Sequence, residues 1–522
     1  MRDVAIISAR QAAEMIPSGV TVCSQGMESS GVAEEILIEI EKRFLETGRP
    51  CGLTWIHSAG QGDRRETGMN HLAHEGLLAC IIGGHFGPMP KLQELILRNQ
   101  VEAYNFPIGV ISHMLRDMAA NRPTVTRIGL GTYVDPEQEG GRLNACSKEN
   151  FVEKVVLDGE HYLHYRHLKK PTFAILRGSF ADTKGNISCE EESCYAESLQ
   201  VAQTVHRNGG KVFVQVKAVV EHGSLDARRI RIPGTIVDYV IPVSDLQYHK
   251  MTTFRDFEPS LCGAQRIYLK QENQSSALDE RRIIGRRAAM ELRSGAVINL
   301  GVGIPQGVSA VVAEEGVSEE VTLSLESGLI GGIPLSGSEF GAAFNPECML
   351  DQPEQFDSYD GGGLDIAFLG LAEADRCGNV NVSRFGDRVT GAGGFINITQ
   401  ATPCVVFCGT MTAGGLSVQV RDGVLHILQE GRVRKLVSSV QQITFSGAYA
   451  AASGQRVLYI TERAVFQLSD GELVLTEIAP GADLERDVLS QMDFRPRIAD
   501  EMKIMDARIF REGNMGLREM LQ

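Results

Sequence analysis

A glutamate in a glycine-rich setting is the residue of this sequence best placed for chemistry. Glu326 directly follows the apolar run of residues 321–325, and Gly328, Gly331 and Gly332 come after it. If the run is a strand of an open α/β sheet, its carboxyl end is where such sheets bind ligands. A carboxylate there, with glycines that admit a ligand, can act as a nucleophile, a base or a ribose ligand. The alternative is an ordinary solvated glutamate at a strand end.

A glycine-containing loop at residues 301–307 is the second candidate for ligand binding. Its sequence is Gly-Val-Gly-Ile-Pro-Gln-Gly, and it joins a predicted strand to a predicted helix. The loop resembles a dinucleotide fingerprint, in which an acidic residue about 20 positions later binds the ribose, and Glu326 has that place. Its GxGxxxG spacing and internal proline depart from the fingerprint. The loop predicts contact with a phosphate or pantetheine, or else a plain strand-to-helix turn.

Other clusters are less specific. Glycines gather at residues 83–87, 361–363 and 391–394, where backbone amides could form an oxyanion hole but where plain turns are the commoner use. Histidines recur at every third position from His161 to His167 without a frame of Cys, Asp or Glu, so the sequence predicts no metal site.

A faint internal repeat predicts the elements that position these residues. Residues 8–22 and 286–298 both show a helix, a glycine stop and an apolar strand. A second matched pair, residues 180–186 and 372–379, ends in Gly-Asn both times. Further strands indicate a largely parallel sheet, and Asp-Gly pairs between apolar runs predict hairpins at residues 418–425 and 465–475. The predicted strands are residues 296–300, 321–325, 364–368 and 405–408.

These patterns predict an α/β protein made of two related open α/β domains fused in one chain. The polar stretch at residues 270–277 has no apolar periodicity and is the predicted linker. The domains then span residues 1–269 and 278–522, and the second carries Glu326.

Composition limits the partners. The chain has 522 residues, 51 Lys and Arg against 66 Asp and Glu, and a net charge of −15, which disfavours nucleic acid. Its apolar runs fall far short of the roughly 20 residues of a membrane helix, and no signal peptide is recognisable. The 11 cysteines form no CxxC pair, which is typical of reduced thiols. We therefore expect a cytoplasmic protein without membrane or nucleic-acid partners.

Glu326 and its neighbours also resemble a known signature. Residues 324–328, Ser-Leu-Glu-Ser-Gly, with Ile330, Gly331 and Gly332, are similar to the S-E-N-G-type motif of family I coenzyme A transferases, with Ser327 at the usual Asn. The resemblance extends over nearly the whole chain and is strongest to the single-chain acetate or propionate CoA-transferase branch. The stretches that carry it are residues 83–87, 104–107, 356–365, 393–398 and 459–466.

The resemblance implies the CoA-transferase fold and a ping-pong reaction through a glutamyl-CoA thioester on Glu326. Coenzyme A is then a substrate, no cofactor is permanently bound, and neither ATP nor metal is needed. The acyl donors and acceptors would be short-chain acyl-CoA and carboxylates such as acetate, and we expect a homo-oligomer, a dimer or tetramer. Backbone N–H of Gly394 would stabilise the oxyanion. The residues expected along CoA are Gly301, Val302, Gly303, Ile304 and Gly393.

One departure concerns the substrate pocket. The chain has Ile108 followed by Gly109 where the family usually has Gln-Gly. An isoleucine side chain cannot donate a hydrogen bond, so the acyl preference or the rate is expected to differ from those of relatives. Two other classes stay open, an NAD-dependent oxidoreductase that uses the loop at residues 301–307 and an inactive CoA-binding relative.

Overall fold

A parallel sheet is the framework of the first of two compact units in the computed structural model, which describes residues 3–167, 169–268 and 278–521. This unit comprises Met1–Ile267, Leu325–Asp357 and Gly386–Asn397. All neighbouring strands of its eight-stranded sheet pair in parallel. In spatial order they are Ala5–Ile6, Tyr239–Pro242, Lys211–Val216, Phe173–Arg177, Thr21–Ser24, Leu53–His57, Leu78–Gly83 and Glu102–Asn105.

The second unit comprises Tyr268–Ser324, Ser358–Phe385 and Ile398–Gln522. Its main sheet also has eight strands. Along the sheet, the first four pairings are parallel, the next two are antiparallel and the last is parallel. In spatial order they are Val321–Leu323, Ala296–Leu300, Ile366–Gly370, Cys404–Cys408, Arg456–Ile460, Ala464–Ser469, Glu472–Ile478 and Arg497–Ile504.

The α-helices alternate with these strands, as parallel sheets require. They span Ala9–Glu14, Glu34–Thr47, Pro90–Leu97, Ile108–Ala120, Ser198–Arg207, Glu280–Ala289, Gln306–Glu314, Gln352–Asp360, Phe395–Ala401, Gly447–Ala452 and Leu517–Met520. None of the helices in the described part of the chain is long and apolar enough to cross a bilayer.

Short strands complete the fold. A four-stranded sheet of the first unit consists of Ala218–Val220, Phe180–Asp182, Ile187–Ser188 and Ile230–Ile232, and a three-stranded one of Thr124–Thr126, Glu160–Tyr165 and Val152–Leu157. The remaining strands are Leu329–Ile330, Ile333–Pro334, Ala343–Phe344, Cys348–Met349, Glu373–Ala374, Val380–Asn381, Arg384–Phe385, Arg388–Val389, Thr412–Ala413, Ser417–Arg421, Val424–Gln429 and Val433–Arg434.

The predicted repeat is present in the structure. In both units a helix, a strand and a second helix follow one another early in the sequence of the unit, and both predicted hairpins form. The second matched pair folds into the same turn. Oδ1 of Asp182 accepts hydrogen bonds from the amides of residues 184 and 186, and Oδ1 of Asp375 accepts them from residues 377 and 379. The predicted class of two related open α/β domains is therefore confirmed.

The units do not follow the two halves of the sequence. Glu326 comes just after a strand of the second unit, yet it belongs to the first. The linker predicted at residues 270–277 lies outside the described residues. Each unit has its own apolar core, which in the first unit includes the fully buried Trp55.

Candidate active site

Four candidate residues of the site, three polar and one apolar, follow the carboxyl ends of four neighbouring parallel strands in the first unit. Glu28 follows Thr21–Ser24, Ser58 follows Leu53–His57, His85 follows Leu78–Gly83, and Ile108 follows Glu102–Asn105. The sheet order places these strand ends side by side at one edge. This is the edge at which open α/β sheets bind ligands.

Glu326 lies in a tight turn rather than at the end of a strand. The strand before it ends at Leu323, two residues earlier than predicted, and the turn is closed by the Leu325 amide, which donates to the Leu329 carbonyl at 2.8 Å. Gly328 has a φ of +99°, and a Cβ there would lie 2.1 Å from the Leu350 carbonyl oxygen. The turn therefore needs glycine at this point, which explains the Glu-Ser-Gly sequence.

A backbone amide holds the Glu326 carboxylate. The Gly394 N–H donates a hydrogen bond to it. The segment around Gly394 is fixed in turn, because the Gly393 amide donates to the Gly84 carbonyl at 2.8 Å and the Ile108 amide donates to the Gly393 carbonyl at 3.0 Å. A Cβ on Gly394 would lie 1.9 Å from Glu326 Oε2, so only glycine permits this approach.

Burial tunes the Glu326 carboxyl group. Its surroundings raise its pKa to about 7, and the Gly394 hydrogen bond opposes that rise. A carboxylate with a pKa near the working pH is more basic than an ordinary one, yet still substantially ionised. Such a group suits nucleophilic attack on an acyl carbon.

Ile108 lies beside Gly84 and Gly393, and Gly109 lies beside the Phe356 ring. Ile108 is only 1% exposed, and a Cβ on Gly84 would lie 2.6 Å from its Cγ1. Gly109 leaves room for the Phe356 ring, since a Cβ there would lie 2.6 Å from Cδ1 of that ring. The structure thus places both predicted pocket residues close to Gly393 and Gly394.

The loop predicted to contact CoA belongs to the second unit. A Cβ on Gly301 would lie 3.1 Å from the Leu369 side chain, and Gly303 has a φ of +91° with open space around it. The Gly303 amide donates to the Gln306 side chain at 3.2 Å. Within the described residues the amides of Val302 and Ile304 make no hydrogen bond. Two backbone donors of the loop are therefore free for a ligand.

Comparison with known proteins places this geometry in a family. The model of the coenzyme A transferase family matches residues 6–242. The caffeate CoA-transferase of Acetobacterium woodii is 45% identical to this chain over 517 residues, covering 98% of both proteins. The chain belongs to the coenzyme A transferase family.

Further relatives agree with this assignment. The acetate CoA-transferase YdiF of Escherichia coli K12 is 41% identical over 520 residues, covering 98% of this chain and 96% of that protein. The crystal structure of the YdiF apoenzyme from E. coli O157:H7 matches with a TM-score of 0.92 at 40% identity, over 98% of this chain and 97% of that one. A structure of that transferase as a thioester complex with CoA matches with a TM-score of 0.91.

The family resemblance inferred from the Glu326 signature is thus confirmed, as is the CoA-transferase fold. The chain is a CoA-transferase, and coenzyme A is its substrate. This favours the transferase interpretation of the loop at residues 301–307 over the nicotinamide one.

Sequence reasoning did not single out Glu28, which lies next to His85, or Arg64, which lies next to Glu28. Glu28 Oε1 lies 3.5 Å from His85 Nδ1, and Glu28 Oε2 lies 3.6 Å from Arg64 Nη2. Burial raises the pKa of Glu28 to about 8 and lowers that of His85 to about 4. The signal was available, because Glu28 follows the strand Thr21–Ser24 just as Glu326 follows Val321–Leu323.

Proposed function

We propose that this CoA-transferase moves coenzyme A between short-chain acyl-CoA and a free carboxylate such as acetate, through a glutamyl-CoA thioester on Glu326. The observation that carries the proposal is the Glu326 carboxyl group, which is held by the Gly394 amide and has a pKa raised to about 7. Support for acetate comes from the relative named acetate CoA-transferase YdiF. Support for the intermediate comes from the thioester complex with CoA of the E. coli O157:H7 transferase.

The reaction divides into two exchanges. A Glu326 oxygen attacks the carbonyl carbon of acyl-CoA, the C–S bond breaks, and CoA leaves as a thiolate from an acyl-glutamyl anhydride. The thiolate then attacks the glutamyl carbonyl carbon, the anhydride C–O bond breaks, and the acyl group leaves as its carboxylate. A second carboxylate reverses both exchanges, so the energy of the thioester is retained and no proton is consumed.

Backbone amides have two roles in this scheme. The Gly394 N–H, which holds the resting carboxylate, is positioned to stay with the glutamyl oxygen as charge develops on it. The free amides of Val302 and Ile304 are suited to acceptor oxygens along CoA. The predicted homo-oligomeric state and cytoplasmic location stay predictions.

An aromatic acid is the second candidate acceptor. The relative that is 45% identical is named caffeate CoA-transferase, and this chain has the apolar Ile108 beside Gly393. Acetate and caffeate are therefore to be compared directly as acceptors.

The thioester is tested by trapping. Incubation of the protein with acetyl-CoA should add the mass of CoA to the peptide that contains Glu326, and borohydride should reduce that thioester to an alcohol. The measurement is peptide mass spectrometry before and after reduction. Modification of another carboxyl group, or transfer activity without any adduct, would show that Glu326 is not the nucleophile.

Replacing Ile108 by Gln tests the substrate pocket. The two side chains are similar in size, so we expect the fold to persist and kcat or the preferred acceptor to change, because an amide now stands near Gly393. Kinetics with acetate, propionate, butyrate and caffeate measure the effect. Unchanged kcat and KM for all four acids would mean that position 108 does not influence the site.

A further inference from the structure

A row of glycines lines one edge of the main sheet in the second unit. The second, third and fourth strands in spatial order end at or just before a glycine, and these glycines are Gly301, Gly370 and Gly409. The strands pair in parallel, so the glycines lie at the same edge, and at about 4.8 Å per strand the row is roughly 10 Å long. Among the described residues, a Cβ on Gly370 would meet only the Val302 carbonyl oxygen, at 4.0 Å. This glycine row therefore leaves a stretch of backbone open to a slim ligand.

Lys435 is held next to the last residue of the glycine row. A Cβ on Gly409 would lie 2.8 Å from Lys435 Nζ, so the ammonium group lies against that end of the row. The Lys435 carbonyl accepts a hydrogen bond from the Ala374 amide at 2.8 Å. The strand Val433–Arg434, just before the lysine, pairs with Thr412–Ala413. The backbone of Lys435 is thus fixed from two sides, by segments that follow strands of the sheet.

The Lys435 ammonium group is buried without an acceptor. The residue is 9% exposed, and its Nζ forms no hydrogen bond or ion pair with any described residue. Glu462, the acid whose charge acts on it, is already engaged, because its carboxylate accepts from Arg463 Nε at 2.6 Å and from the Met411 amide at 3.0 Å. Burial lowers the pKa of Lys435 to about 8, and the Glu462 charge opposes that shift. Buried charges are normally paired, so this ammonium group indicates an anion that binds beside it.

The phosphates of coenzyme A are the anions that fit this position. The carboxylate of the acid substrate is the group that reacts at Glu326, which belongs to the first unit, whereas the phosphates take no part in the reaction. The loop at residues 301–307, at the other end of the glycine row, has free amides just before the helix Gln306–Glu314, and such helix starts suit phosphate. The chain has a net charge of −15, so an anionic substrate needs local cations. Lys435 provides one at this edge.

We propose that Lys435 is a phosphate-binding residue of this enzyme, and that its ammonium group donates a hydrogen bond to a phosphate oxygen of CoA that lies along the glycine row. The inference rests on the proposed function and deepens it, since it names a residue that binds CoA. No covalent bond to Lys435 forms or breaks, and the chemistry stays at Glu326.

The test is the affinity of Lys435→Met for CoA, with Lys503→Met as the matched control. Methionine keeps most of the length of the lysine side chain and removes its charge. Lys503 is an exposed lysine on the strand Arg497–Ile504 of the same sheet, and it forms no ion pair with the described residues. Isothermal titration gives the Kd of CoA. Lys435→Met should weaken binding about 10-fold to 10²-fold, the loss of one charge-assisted hydrogen bond, and Lys503→Met should leave it unchanged.

Truncated acyl donors identify the phosphate that Lys435 binds. Dephospho-CoA lacks the 3′-phosphate and pantetheine lacks every phosphate, so kcat/KM is compared for the acetyl thioesters of CoA, dephospho-CoA and pantetheine. If wild type and Lys435→Met become equal already with acetyl-dephospho-CoA, the lysine binds the 3′-phosphate. If they become equal only with acetyl-pantetheine, it binds the diphosphate. Either result supports the proposal.

Three results would overturn the proposal. They are an unchanged Kd of CoA in Lys435→Met, an equal loss with acetyl-pantetheine, and an equal loss in Lys503→Met. Removal of a buried unpaired charge should not lower the melting temperature, and if Lys435→Met does not fold, Lys435→Gln takes its place in the same comparisons. Failure of the proposed function is distinguishable, because wild type would then form no CoA adduct on Glu326, whereas failure of this inference leaves that adduct intact.

Discussion

Glu326→Gln should abolish coenzyme A transfer while leaving the protein folded. The amide keeps the size of the side chain but removes the nucleophilic oxygen charge, and loss of a covalent nucleophile costs on the order of 10⁴-fold to 10⁶-fold in kcat. The CoA adduct seen with wild type should disappear as well. The measurement is acetyl-CoA-dependent transfer, together with peptide mass spectrometry of the variant.

The stability of Glu326→Gln, unlike its activity, should not fall below that of wild type. The pKa of Glu326 in the folded chain, about 7, lies above its ordinary value of 4.5, so the folded state binds the proton more tightly than the unfolded state does. Wild type therefore loses stability as pH rises between these values, and it does not regain it above pH 7. Gln does not titrate, so Glu326→Gln should melt at a temperature no lower than wild type at pH 8.

Two further variants test the assignment of Glu326 as the nucleophile. Glu326→Asp keeps a carboxylate but withdraws it by one methylene, and a misplacement of about 1 Å can cost about 10²-fold. Glu347→Gln is the control, since Glu347 is 62% exposed and its nearest cation, Arg266, is 3.8 Å away. Full activity of Glu326→Gln, or equal losses in Glu347→Gln, would contradict the assignment of the nucleophile.

Much of the fold follows from local sequence. The strand Ala296–Leu300 has the predicted bounds, and the two Asp-Gly hairpins form because their turns accept positive φ, +51° at Asp422 and +55° at Asp470. The predicted strand at residues 364–368 is displaced to Ile366–Gly370. The positions of glycines and the periodicity of hydrophobic residues therefore predict where an element lies more accurately than where it begins and ends.

The site was only partly predictable for a different reason. Glu326 and Gly394 are identified by their sequence surroundings, since each stands in a glycine-rich motif. Glu28 is not identified in this way. Its position depends on sheet order, which brings the end of Thr21–Ser24 beside the end of Leu53–His57, and its carboxyl group is buried only in the folded chain. Neither long-range pairing nor a raised pKa can be read from residue spacing.

The sequence also does not predict which segments belong to which compact unit. Residues 325–357 and 386–397 each follow a segment of the second unit in sequence, but they belong to the first unit. This arrangement brings Glu326 and Gly394 into the unit that contains Glu28 and Ile108. A repeat in sequence predicts two similar sheets, but it does not predict which unit an intervening segment packs with.

Gly394→Ala should lower kcat by about 10²-fold to 10³-fold without unfolding the protein. A single added methyl would lie 1.9 Å from Glu326 Oε2 and 3.2 Å from the Phe356 ring, so the carboxylate has to leave its position. The backbone at Gly394 does not have a positive φ, and alanine therefore adds no conformational strain of its own. The loss should consequently appear in kcat, with little change in KM for acyl-CoA.

Gly454→Ala is the matched control for Gly394→Ala, and we expect it to show the opposite pattern. Gly454 has a φ of +71° and no atom within 4 Å of an added Cβ, so alanine there strains the backbone but touches nothing. It should lower the melting temperature and leave kcat unchanged. If Gly394→Ala behaves in the same way, with lost stability and full kcat, then the carboxylate does not work from the position seen beside Gly394. If instead the two variants separate as expected, the contact between this one glycine and Glu326 is a requirement of the chemistry rather than of the fold.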